Sequence, residues 1–155
     1  MRLAMDSDCL IKLAKAGMKE TVCRAWTVII PMAVHRETVH QAVGRPDAIR
    51  IESNITAGHL TVAVRDDDHD RGDDAVLSLY NAGDFDAVAT DDARFIRHLR
   101  GLGVPYAVPA VLVVMLRQEG RICDDQAAQG LSALQPHISA EEHAAAQLML
   151  MGDRP

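Results

Sequence analysis

Aromatic side chains are scarce in this sequence: Trp26, Tyr80, Tyr106, Phe85 and Phe95 amount to 3% of 155 residues. Nucleic-acid platforms that work by stacking bases need exposed rings in number, so the chain is a poor candidate for that mode of binding. Cysteine is almost as sparse. Cys9, Cys23 and Cys123 are odd in number and match neither a disulfide framework nor a CxxC zinc knuckle, so buried free thiols in a reducing compartment are expected. No apolar run approaches the roughly 20 residues that span a bilayer. An acid at position 6 leaves no apolar core for a signal peptide, so a cytoplasmic location is expected. Positive charge is short as well: 22 acids against 16 Lys and Arg give a formal charge of −6, with no global attraction to nucleic acid. HExxH is missing, and His35 and His40 are spaced wrongly for an i, i+4 zinc pair. There is no Gly-rich phosphate loop, no Ser-His-Asp order and no Cys-His arrangement.

What remains is a globular composition, 48% hydrophobic and 25% charged. The length suits one hydrophobic core, so residues 1–155 are expected to form a single domain. Short apolar or β-branched runs at Arg2–Met5, Thr27–Ile30, Leu60–Val64, Phe85–Ala89 and Val104–Val108 read as strands. Helical spacing is expected over 8–16, about 18–25, Pro31 to about Val43, Asp47–Ala57, Asp73–Asn81, Ala93–Leu102 and Ala110–Gln118. Two further helices, near 122–134 and 139–151, follow in a C-terminal tail. Ser139 and Glu142 form a capping-box pattern at the last of them. Arg65 to Asp70 reads as a polar loop. Strands alternating with helices of this length predict an α/β fold, a parallel sheet covered on both faces. In such sheets ligands bind beyond the C-terminal strand ends.

Acids stand at those ends. Asp6 follows the first strand, Glu37 lies in the helix after Pro31, Asp73 opens a helix, and Asp91 lies just past a strand. Carboxylates this far apart in sequence converge only through folding, and like charges packed together are costly unless cations neutralise them. Mg²⁺ or Mn²⁺ takes carboxylate and water oxygens and keeps positions open for phosphate, which suits phosphodiester cutting. Asp8 and Asp92 are placed to act behind the principal acids, and Thr90 to bind a carboxylate or a phosphate. Arg94, Arg97 and Lys12 are candidate contacts to a nucleic-acid backbone. Each residue also has an ordinary reading. Asp6, and Asp91 with Asp92, are placed to cap helices, and Asp73 to favour a helix dipole. Glu37, Lys12, Lys15, Arg94 and Arg97 read equally as solvated helix residues, and Asp66, Asp67, Asp68 and Asp70 as a solvated loop.

With these residues in place, the chain resembles the PIN-domain family of metal-dependent nucleases, which includes the toxin halves of type II toxin–antitoxin pairs. The matching stretches are Asp6-Ser7-Asp8-Cys9-Leu10-Ile11, Ile30-Pro31 through Val34 and Glu37, Gly72-Asp73 through Leu77 and Leu79, and Ala89-Thr90-Asp91-Asp92-Ala93-Arg94-Phe95. They fall within residues 1–116; the helical tail, 117–155, carries no diagnostic match. The resemblance implies a Rossmann-like three-layer α/β/α sandwich and an Mg²⁺ or Mn²⁺ pocket held by Asp6, Glu37, Asp73 and Asp91. It further implies cleavage of single-stranded RNA, a homodimer, and a small antitoxin partner. The family often has Glu where Asp73 stands, which leaves Asp74 as an alternative ligand. Two other readings compete: a PIN-like protein-interaction module without catalysis, and a phosphatase that uses the Asp6-x-Asp8 pair as its nucleophile motif.

Overall fold

The computed structural model describes residues 1–40, 43–63 and 72–152. The expected loop at 65–70 and the end of the helix expected to reach Val43 therefore fall partly or wholly outside the described residues. Five parallel strands form one sheet in the order β3-β2-β1-β4-β5. They are β1 (Arg2–Met5), β2 (Thr27–Pro31), β3 (Leu60–Ala63), β4 (Ala87–Ala89) and β5 (Tyr106–Ala107). The helices are α1 (Ser7–Lys15), α2 (Lys19–Ala25), α3 (Met32–His35), α4 (Pro46–Thr56), α5 (Gly72–Asn81), α6 (Ala93–Gly101), α7 (Pro109–Gln118), α8 (Asp124–Leu134) and α9 (Ala140–Gly152). The sheet is central and parallel with helices on both faces, as expected for a Rossmann-like three-layer sandwich. Helix α1 packs with α2, α4, α7 and α8, and α5 packs on β1, β2 and β4; the right-handed rule for parallel crossovers assigns α1 and α5 to opposite faces.

Strand β1 shows why the sheet must be covered twice: Leu3, Ala4 and Met5 are all fully buried, so side chains of both pleat directions meet protein. Leu10, Leu13 and Ala14 of α1 and Val113, Val114 and Leu116 of α7 join them in one core. The C-terminal helices belong to that core. Helix α7 packs against both α8 and α9, and Ala127, Leu131, Leu134 and Ala146 are buried. Leu131→Ala is accordingly expected to cost about 2–5 kcal/mol of global stability in a single cooperative urea transition. An early transition that melts only α8 and α9 would show instead that they fold as an appendage.

Four local expectations require correction. The strand expected from Phe85 begins at Ala87, because Phe85 N–H donates to Gly83 O at 3.2 Å in a turn while the Arg2 guanidinium sits 4.8 Å over its ring. The strand expected over 104–108 is only Tyr106–Ala107: Val104 N–H closes the end of α6 on Leu99 O, and Pro105 has no N–H to give. The helix expected from Pro31 keeps α geometry only to His35 and then widens to a π-turn over Arg36–His40. There the buried Thr38 hydroxyl donates to Val34 O at 2.8 Å, competing with the regular backbone ladder. Cys9 and Cys23 are buried free thiols as expected, but Cys123 is exposed, because it is the N-cap of α8 with its N–H donated to Gln126 Oε1.

Candidate functional site

The strand order reverses direction at β1. From β1 the chain moves outward to β2 and β3, then crosses back to β4 and β5, so the switch point lies between the C-terminal ends of β1 and β4. Helices leave that point on opposite faces, which opens a crevice there. The residues at its lip are Asp6, directly after β1, and Thr90-Asp91-Asp92, directly after β4. Asp6 N–H donates to Ala89 O at 3.0 Å and so extends the ladder one residue into the crevice.

Asp6 is only 4% exposed. It caps α1, accepting Cys9 N–H at 2.7 Å, and its carboxylate also receives a hydrogen bond from Thr90. Burial pushes its carboxyl up to about 7; the bonds from Thr90 and Cys9 pull it down, and the charges of Asp91 and Asp8 push it further up. Helix capping and an electrostatically loaded carboxylate are thus both properties of this one residue. Thr90, fully buried, spends its hydroxyl on Asp6 and accepts Asp92 N–H at 3.2 Å, which leaves it committed to the carboxylate rather than open toward phosphate. Asp92 caps α6 through Phe95 N–H at 2.6 Å. Asp8 is exposed on the first turn of α1.

Asp91 has a divided environment. One oxygen, Oδ2, is ion-paired with Lys12 of α1. The other, Oδ1, is buried and has no hydrogen-bond partner among the described residues. Burial pulls the Lys12 ammonium down, but the bond and charge of Asp91 outweigh it and leave Lys12 above its ordinary value.

Glu37 and Asp73 form a second group, within electrostatic range of Asp92. The π-turn after α3 carries Glu37 to the start of α5, where a Cβ on Gly72 would stand 3.1 Å from both of its carboxylate oxygens. That close approach is a physical reason for glycine at 72. Asp73, exposed at the rim, is held above the ordinary carboxylate value by partial burial first and then by Asp92, Asp74 and Glu37, with Arg94 acting against them. Asp74, Arg94 and Arg97 are exposed. The acids are therefore neighbours in two groups, Asp6 with Asp8 and Asp91, and Glu37 with Asp73, Asp74 and Asp92. Among the described residues no three acidic, histidine or cysteine side chains lie close enough together to hold a metal ion. The acids at 66–70 lie outside the described residues.

One acid near the first group was read from the sequence only as part of a helix cap. Ser139 Oγ does accept Glu142 N–H at 3.1 Å, but the Glu142 carboxylate does not complete the box. It accepts Ala110 N–H at the start of α7, at 3.0 Å. Burial raises its carboxyl above the ordinary value, Asp91 raises it further, and the Ala110 bond and Lys12 lower it. The capping-box spacing describes α9 alone; that α9 folds back on α7 beside Asp91 has no local signal.

The fit to a divalent cation can be judged on the first group. A buried carboxylate oxygen without a partner beside a second buried, loaded carboxyl is a donor pair of the kind that hard ions take. The donor chemistry of Asp6 and Asp91 suits a hard ion, and among the described residues no third ligand joins them.

A family model described as DUF3368: PIN domain matches residues 2–139. No curated protein and no solved structure gives a significant match. The match covers most of the chain and every strand end described above, extending past residue 116 through all of α8 to the start of α9. The chain belongs to the PIN-domain family.

Proposed function

We propose that this protein is a divalent-cation-dependent endoribonuclease that hydrolyses phosphodiester bonds of single-stranded RNA. The observation that carries the reading is that the charge of Asp91 acts on the buried Asp6 carboxyl across the switch point, with Asp91 Oδ1 buried and without a hydrogen-bond partner among the described residues. In this reading Asp6 and Asp91 hold Mg²⁺ or Mn²⁺, and Glu37 and Asp73, or Asp74 in its place, complete the acidic wall from α5 and the π-turn. The chemistry supplied by a bound ion is charge neutralisation and Lewis acidity toward phosphate and water. The chain's own residues do the rest. Thr90 fixes the Asp6 carboxylate, Asp92 anchors the loop by capping α6, and Asp8 adds negative potential at the entrance. Arg94 and Arg97, on the exposed face of α6 that starts at the crevice, contact backbone phosphates and so hold the strand without reading its sequence.

Mn²⁺ titration by calorimetry, followed by cleavage of an unstructured RNA oligonucleotide, tests the reading directly. Saturable binding that disappears in Asp6→Asn is expected. So is an increase in stability of about 2.7 kcal/mol at a hundredfold excess of ion over its dissociation constant. Neither binding nor cleavage would favour the second reading, a non-catalytic interaction module, which draws its support from the lack of a three-ligand metal cluster among the described residues.

The finer reading is a toxin restrained by a small antitoxin and working as a homodimer. An apolar groove of about 630 Å³ between the π-turn and α4 supports a protein partner; Val43 and Ile49 stand 84% and 61% exposed along it. Growth arrest on expression, relieved by Asp6→Asn and by co-expression of a short upstream reading frame, is its test.

A further inference from the structure

Away from the acidic crevice, one buried cation has no acid to answer it. Lys19, the first residue of α2, is 3% exposed, a degree of burial that lysine almost never reaches unpaired. Its ammonium donates to Arg50 O in α4, which uses one of its three donors. Arg50 in turn donates from Nη1 to Ala14 O near the end of α1, at 3.1 Å. Neither cation is ion-paired with a carboxylate among the described residues. Glu20, the acid next to Lys19, is about half exposed and paired with Arg24 at 2.6 Å. Burial pulls the Lys19 ammonium down to about 8, Cys23 and Glu20 raise it, and Arg50 lowers it. Cys23 is itself pushed up to about 11 by burial, so its thiol is neutral at pH 7.

The two cations line one cavity. It has a volume of about 420 Å³ and lies where α1, α2 and α4 meet, with Lys19, Arg50, Ser53 and Asn54 as its donors, Ala14 and Ile49 as apolar wall, and Glu20 also on its lining. Asn54 is 7% exposed, and its Nδ2 is buried without a hydrogen-bond partner. Buried donors are nearly always matched, so this wall is short of acceptors. Its volume is many times the roughly 30 Å³ share of a water molecule and falls in the range of about 300–1,000 Å³ typical of small-molecule sites.

The missing acceptor is an anion with several oxygens and more than one negative charge. A carboxylate brings two oxygens and one charge, and a phosphodiester of a nucleic-acid backbone likewise brings one charge. A phosphate monoester carries about −1.5 to −2 at pH 7 on three terminal oxygens, which matches two cations. Ammonium and guanidinium both suit it, the first as a compact charge and the second as a fork. The cavity lies at the C-terminal end of α1, whereas Asp6 caps the N-terminal end of that nine-residue helix, about 13 Å away at 1.5 Å per residue. A ligand there neither enters the acidic crevice nor needs a divalent ion.

We propose that the cavity between α1, α2 and α4 is a binding site for a small phosphate monoester, with its phosphate held by Lys19 and Arg50, Ser53 and Asn54 as further donors, and its organic part against Ala14 and Ile49. The proposal does not rest on the ribonuclease reading. It gives the chain a second anion-dependent site at the end of the sheet opposite the acids.

The test is calorimetric titration of the full chain at pH 7 in metal-free buffer with glycerol 3-phosphate, using orthophosphate and a single-stranded RNA without terminal phosphates as comparison probes. Saturable one-to-one binding of glycerol 3-phosphate is expected, with a rise in melting temperature. Arg50→Gln, at an exposed position, should weaken binding about tenfold, and Lys19→Met by a similar factor. Arg121→Gln, an exposed cation outside the cavity lining, should change it less than about twofold. Should Lys19→Met fail to fold, Arg50→Gln decides by itself. Orthophosphate bound more tightly than the ester would overturn the assignment of an organic ligand, and RNA bound in place of the ester would overturn the monoester. No saturable binding, or equal weakening by Arg50→Gln and Arg121→Gln, would overturn the site and leave Lys19 and Arg50 as supports for the helix carbonyls they now touch.

Discussion

Asp91→Asn is expected to lower Mn²⁺-dependent cleavage of unstructured RNA by roughly 10²–10³, the cost typical of deleting one preorganised electrostatic group from a dry site. Asparagine keeps the shape of the side chain and loses the charge. The fold should survive, because Asp91 caps no helix: α1 is capped by Asp6 and α6 by Asp92. Lys12 loses its partner but is partly exposed and can turn to solvent, so the change in stability without ions should fall below the roughly 3–5 kcal/mol of breaking a fully buried pair. The decisive comparison is turnover against melting temperature in the same preparation. Normal turnover in a folded Asp91→Asn protein removes Asp91 from the mechanism; lost turnover with a lowered melting temperature of the same order as a core mutant would make its role structural.

A second large effect concerns Asp6 in the absence of ions. Its carboxyl titrates near 3.8 in an unperturbed chain and at about 7 in the folded protein. Between those values the folded state holds a proton that the unfolded state has released, so this residue's contribution to stability is greatest below about pH 4. It then falls as pH rises to about 7 and is constant above that. Asp6→Asn removes the dependence. Asn still offers an oxygen to Cys9 N–H, so the cap is kept. Relative to its difference from wild type at pH 4, the variant should therefore gain on the order of 2–4 kcal/mol by pH 8, measured in EDTA by urea unfolding. A wild-type-minus-variant difference that is flat from pH 4 to pH 8 would show that the Asp6 carboxyl is not loaded by its surroundings. Saturating Mn²⁺ should reverse the order at pH 8, because the ion stabilises the ionised carboxylate that Asn lacks.

The two experiments address different parts of one arrangement. Asp91 is neutralised by a lysine and Asp6 by partial protonation, two ways of tolerating acids at a switch point when no divalent ion is there. In the proposed reading a bound divalent ion would reverse both, so stability and ion binding are expected to be linked.

Much of the arrangement is legible before folding is considered, for identifiable reasons. The strand ends at Asp6 and Asp91 are marked by short apolar runs followed at once by acid and by helical spacing, and hydrophobic period is a local property. The limits of β4 and β5 are less legible, since a Phe or a Val fits a strand by propensity while its backbone N–H is taken by a turn or a helix end. Glu37 is legible as an acid on a helix but not as a carboxylate facing Gly72, because a π-turn carries it there and the Thr38 back-bond behind that turn has no distinctive spacing. Lys12 reads as a solvated lysine because its partner lies 79 residues away.

From the sequence alone follow the α/β class, the parallel sheet, the order of acids along the chain and the family resemblance, because periodicity, capping residues and motif spacing act over a few residues at a time. The tertiary structure alone decided that Asp91 acts on the buried Asp6 carboxyl while Glu37 and Asp92 act on Asp73 at the start of α5. It also decided that Lys12 turns inward, and that α9 returns to bring Glu142 beside α7. Those are contacts between distant segments, chosen by burial and by the cost of unpaired charge, and neither quantity exists until the chain has closed on itself.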